Sequence, residues 1–167
     1  MRNKRQIRST FILVCILVLL LLMGCSKAAK QGLLPETIGQ FELAGSMKGE
    51  QAKQSVSALH RGIKMDVEEA EIGEYFSGNN KAKLWISRSR SEAEAKLLFG
   101  RMTAEISKGT SPFGMPQETT IKGIKLEELE GMGQKHYYYQ VNDEVVWLSV
   151  DASLGKETID DLIEKVN

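Results

Sequence analysis

The sequence is poor in the residues that enzymes depend on. Its 167 residues include two histidines, His60 and His136, two cysteines, Cys15 and Cys25, and only three prolines. No cysteine follows position 25, so the chain beyond it has no disulfide, thiolate nucleophile or thiolate metal site. There is no G-x-S-x-G, no H-E-x-x-H, no phosphate-binding glycine loop and no EF-hand pattern. "GMGQKH" (131–136) starts like a dinucleotide fingerprint, but His136 stands where the third glycine belongs and no helix is expected to follow. Serine hydrolysis needs a nucleophile, a base and an orienting group, and nothing supplies the set. No catalytic residue is assigned, and a non-enzyme is expected.

Acidic residues are missing from the start of the chain. None precedes Glu36, while Arg2, Lys4, Arg5 and Arg8 crowd the first eight positions. Every side chain from Phe11 to Met23 is apolar. A basic stretch followed by a short apolar run is the pattern of a signal peptide. Thirteen residues of helix reach only about 20 Å, less than the ~30 Å of a bilayer core, so a permanent membrane span is the weaker reading. The run ends at Leu22-Met23-Gly24-Cys25.

That boundary resembles a bacterial lipobox, with an aliphatic residue at −3, a small residue at −1 and the invariant cysteine. The resemblance implies cleavage between Gly24 and Cys25 and a lipid (palmitate-class acyl chains) on Cys25. It places the protein at the cell membrane on the extracytoplasmic face, lipid-anchored. In a Gram-negative cell, Ser26 after the cysteine is similar to the marking of outer-membrane lipoproteins. Two or more acyl chains hold a protein stably, each buried CH₂ contributing about 0.8 kcal/mol. On this reading residues 1–24 are the signal peptide, 25–34 the lipidated cysteine and tether, and 35–167 the folded domain. The body then carries 18 basic and 22 acidic residues, since four of the 22 basic ones leave with the signal. Such a balance gives no footprint for nucleic acid.

The body reads as one α+β domain, an antiparallel sheet packed by a long central helix and a C-terminal helix. Ala52, Val56 and Leu59 are spaced for a helix over 49–60, and 63–67 alternates like a strand. Residues 69–76 and 81–87 flank "SGNN" and predict a hairpin. Ser91 and Glu94 form a capping box ahead of the stripe Ala95, Leu98, Phe99, Met102 and Ile106, with Gly109 as the stop. The loop 110–116 carries Phe113 and Met115. Strands are expected at 118–122 and 124–129. A hairpin over 134–151 turning at Asn142-Asp143 would pair Val141 with Glu144, Tyr139 with Val146 and Tyr137 with Leu148. Ile159, Leu162, Ile163 and Val166 mark a last helix. From residue 81 onward the element order is similar to the PsbP/Mog1-like sandwiches, a likeness that carries little about function.

Four features invite a functional reading. Glu68, Glu69, Glu71 and Glu74 are read as a solvated strand edge in preference to a calcium site. Lys81, Lys83, Arg88 and Arg90 would suit phosphate or lipid headgroups, though solubilising charge is the simpler reading. His60 with Met65, and Met132 with His136, supply imidazole and thioether, a ligand set for copper(I) or haem if the four converge. Last, His136, Tyr138 and Trp147 share the face of the 134–151 hairpin opposite its aliphatic side. Either the helix from residue 91 covers that face as a second core, burying Tyr138 and Trp147, or the aromatics stay exposed as a ligand or partner surface. The expected role is a non-enzymatic binding or accessory subunit with an envelope protein partner and no resident cofactor. The alternative is an extracytoplasmic carrier of a small ligand, copper or haem.

Overall fold

A computed structural model describes residues 32–59 and 67–166. Eight strands form one antiparallel sheet in the order β1-β2-β3-β4-β8-β7-β6-β5. They are β1 (Thr37–Ile38), β2 (Phe41–Lys48), β3 (Glu69–Ser77), β4 (Asn80–Arg88), β5 (Gln117–Ile121), β6 (Ile124–Gly131), β7 (Gln134–Val141) and β8 (Glu144–Val150). The helices are α1 (Gly49–Leu59), α2 (Glu92–Ile106) and α3 (Gly155–Val166), the last entered through a 3₁₀ turn at Ala152–Leu154. The sheet is two four-stranded meanders, β1–β4 and β5–β8, joined where β4 meets β8. That seam runs from Ala82↔Val150 to Arg88↔Glu144 and sets Trp85 directly opposite Trp147.

Local chemistry explains most elements. Ser91 caps α2, its Oγ accepting from the Glu94 amide at 3.3 Å. The Glu94 carboxylate reaches back to the Arg90 amide at 3.2 Å. The β7–β8 hairpin has the register expected from its Asn142-Asp143 turn, including Tyr139↔Val146 and Tyr137↔Leu148. The β6–β7 hairpin turns at Met132 and Gly133, with φ of +53° and +78°. Two successive positive φ values match the right-handed twist of paired strands, at a conformational cost for Met132 that a glycine avoids.

Alternation along the strands yields two apolar faces. On one, Tyr75, Leu84, Ile86, Tyr137, Tyr139, Val146 and Leu148 bury against Ile159, Leu162 and Ile163 of α3. On this face α3 touches β1 as well as β7 and β8. The other face carries two helices, each over its own meander. Ala52 and Val56 of α1 pack on Ala70 and Ile72, whereas Ala95, Leu98, Met102 and Ile106 of α2 pack on Leu129, Tyr138 and Val145.

Several expectations need correction or extension. The long helix does not cover its face alone, because α1 shares it. Strands β1 and β2 were not anticipated: only Phe41 of β2 is fully buried, and the register shifts between Leu43 and Gly45. Strand β3 is therefore internal and not an edge; Glu68 and Glu74 are solvated as expected, but Glu71 is not. Glu71 is buried and pairs with Lys48 of β2 at 3.0 Å, Glu69 with Arg88 at 3.0 Å and Glu74 with Lys83 at 2.9 Å. Leu33, in the segment read as tether, is buried in the α3-side core. Residues 63–66 of the strand expected at 63–67 lie outside the described residues.

Two substitutions test this account by urea denaturation. Leu148→Ala removes a fully buried side chain from the seam and is expected to cost 2–5 kcal/mol. Ser91→Ala removes only the cap of α2 and should cost about 1 kcal/mol.

Candidate functional site

On the face away from α3, α1 and α2 each sit over their own meander. Between them Trp85 and Trp147 of the seam are only partly covered. The result is a groove of about 1080 Å³ whose floor includes Trp85 and Ser87 of β4 and Val145, Trp147 and Ser149 of β8. Val56 and Ala58 of α1 form one wall; Met102, Glu105 and Ile106 of α2 with the loop 110–113 form the other. Phe76, Lys81 and Lys83 lie at the end of the groove near the β3–β4 turn, and Met132 and Gln134 near the β6–β7 turn.

An aromatic cluster builds the α2 side. Tyr138 stacks on Trp147 with centroids 4.8 Å apart and planes 13° from parallel. Phe113 meets the rings of His136 at 4.9 Å and Trp147 at 5.4 Å. A backbone bridge between Phe113 and Gly131 and a hydrogen bond from the Gly114 amide to the Glu130 carbonyl hold this loop in place. Gly131 is required there, because a Cβ would stand 2.5 Å from the Phe113 ring.

Polar atoms in the cluster are satisfied by one another. The Trp147 indole can only donate, so at 3.2 Å it fixes His136 Nδ1 as an acceptor. The proton then sits on Nε2, which donates to the Gly131 carbonyl at 3.0 Å. Burial lowers the pKa of His136, with the Gly131 contact opposing the shift, and the ring is neutral at physiological pH. Tyr138 Oη donates to Thr103 Oγ1 at 3.2 Å, and burial pushes the phenol up to about 12. Ser87 Oγ donates to the Val145 carbonyl at 3.4 Å.

The residues singled out from the sequence fall into three groups. His136, Tyr138 and Trp147 come together, but not all as a surface. Tyr138 is fully buried and His136 nearly so, while Trp147 is only half-buried and forms part of the floor. Both anticipated outcomes are thus realised side by side, since α2 covers Tyr138 and stops short of Trp147. The copper or haem set does not assemble in what is described. His60 and Met65 lie outside the described residues, Met132 is 76% exposed, and both nitrogens of His136 are engaged. Among the described residues no three His, Cys, Asp or Glu side chains gather as a metal site. Gly24 and Cys25 also lie outside the described residues.

Sequence reasoning did not place Trp85, Phe113 or Gly131 in the site. Phe113 carried a signal, an aromatic in a loop, but its partners are distant in sequence. No family model, no curated protein and no solved structure matches the chain.

The cluster generates two predictions. Tyr138→Phe loses one hydrogen bond and should cost about 1 kcal/mol, while Tyr138→Ala should cost 3–5 kcal/mol. For His136, the unfolded chain takes up the proton first as pH falls. Its contribution to stability is therefore complete above about pH 6.5 and declines as the pH drops toward the lower folded-state value. Urea midpoints measured between pH 7.5 and about pH 5 should fall less steeply for His136→Gln than for the parent.

Proposed function

We propose that this protein is an exported lipoprotein, held at the extracytoplasmic face of the cell membrane by acylated Cys25. It acts by binding, as an accessory component of a cell-envelope assembly, through the groove over the seam. One observation carries the binding reading. The fold leaves Trp85, Trp147 and Phe113 half-buried on one open groove, although apolar rings of this size normally finish inside a core or against a partner.

The placement of the chain suits this role. Gly32 enters the domain beside Lys48 and Glu71, on the α3 side of the sheet, opposite the groove. Fully extended, the seven residues from Cys25 to Gly32 reach at most about 25 Å. A domain so tethered stays near the bilayer. Among the described residues no helix is long and apolar enough to cross a membrane.

A second reading, a carrier of a small ligand, is favoured by the groove's size. Its volume lies just above the ~300–1,000 Å³ range of small-molecule sites, room enough for such a ligand. The copper or haem version of that reading loses His136, whose nitrogens are occupied.

Two experiments test the proposal. Cys25→Ala should abolish globomycin-sensitive maturation and the acyl mass; persistence of either would refute the anchor. Native mass spectrometry of the gently extracted protein should reveal a non-covalent companion that Trp147→Ala loses. A polypeptide mass would support the accessory role, a small organic mass the carrier role. A companion retained by Trp147→Ala would move the binding site elsewhere.

A further inference from the structure

We propose that the groove takes an amphiphile with a single apolar chain and an anionic head, the chain lying over Trp85 and Trp147 and the head at Lys81. This deepens the carrier reading of the site and rests on the groove being the site of binding.

The floor argues for an apolar chain that asks for no hydrogen bonds. The indole N–H of Trp147, both ring nitrogens of His136, the Tyr138 phenol and the Ser87 hydroxyl are engaged within the protein, which leaves the Trp85 indole N–H and the Ser149 hydroxyl as the floor's open polar atoms among the described residues. An extended polypeptide laid along that floor would bury most of its amide groups without partners, each a costly loss. An alkyl chain has no such groups and gains from contact with the exposed ring faces.

Charge decides the head. The other ionic groups lining the groove are already matched. Lys83 pairs with Glu74 at 2.9 Å and Glu105 with Lys108 at 2.5 Å, and buried His136 is neutral. Lys81 points to the same side of β4 as Lys83 and Trp85, with its Nζ 5.9 Å from the Phe76 ring centroid. It is exposed and has no carboxylate partner among the described residues. One uncompensated cation at the end of an apolar groove complements one anionic head.

The chain has only two tryptophans, and both line the groove. Its intrinsic fluorescence therefore reports on this site. The test uses the lipidated full chain in nanodiscs of zwitterionic lipid and the probe 11-bromoundecanoate, whose bromine quenches indoles only on contact. Saturable quenching is expected, and it should persist in Trp85→Phe and in Trp147→Phe. Binding should weaken about tenfold for 11-bromoundecanol, which lacks the charge, and about tenfold for the acid in Lys81→Glu. Lys81 is exposed, so that variant should keep the parent's thermal midpoint. Absence of saturable quenching would overturn the proposal. Equal binding of acid and alcohol, or an unaffected Lys81→Glu, would overturn the assignment of the head. The wider reading has its own readout, a photo-reactive residue at Trp147 in cells. A captured envelope protein without quenching by the probe would sink the amphiphile and leave the binding role standing. Quenching without capture would do the reverse to the protein partner.

Discussion

The pairing of β4 with β8 is the constraint on which the rest depends. It is the one ladder that joins the two meanders, and its seven residue pairs place Leu84, Ile86, Val146 and Leu148 in the α3-side core. The same ladder turns Trp85 and Trp147 to the opposite side. Helix α3 closes one face, while α1 and α2 sit over separate meanders on the other. The groove is thus a result of how the core is filled, and the residues on it are those that alternation leaves facing outward.

Charge is arranged around that seam in a way that steadies the far end and leaves the near end open. Arg88 reaches Glu69 on β3 and Glu144 on β8, so one guanidinium clamps both sides of β4. These partners raise its pKa against the opposing effect of burial. At the other end of β4 the backbone amide of Lys81 is held by Asp151, and its ammonium lies over the Phe76 ring without an ion-pair partner among the described residues. The arrangement restricts strand movement without filling the groove with fixed charge. It also separates two groups of residues that look alike in sequence: the Arg88 side chain is structural, whereas that of Lys81 is available.

What could be read from the sequence follows the range of the interactions involved. The hairpin turning at Asn142-Asp143 and the helix capped by Ser91 are set by neighbours within a few residues, and their register and start agree with expectation. The burial of Tyr138 depends on α2 returning across the sheet. Alternation placed it on a face but not under a helix. Strand β2 escaped notice because Phe41 is its one fully buried side chain and a register shift between Leu43 and Gly45 interrupts its alternation. Missing β2 removed Lys48 from view, which made Glu71 look solvated. The groove was illegible for a related reason, since Trp85, Trp147 and Phe113 meet only after the two halves join.

The seam also carries a consequence for the order of assembly. Each hairpin closes over a turn of two residues, a local event on the microsecond scale. The β4–β8 ladder is different: Arg88 and Glu144 are 56 residues apart in the chain, and the entropy of closing that loop precedes any gain from the contact. Folding should therefore pass through two independently formed meanders that dock late. Until they dock, the aliphatic edges of β4 and β8 are unpaired and open to pairing with a second copy. The rate of that last closure, more than the stability of either half, sets how long the nascent protein is vulnerable to aggregation.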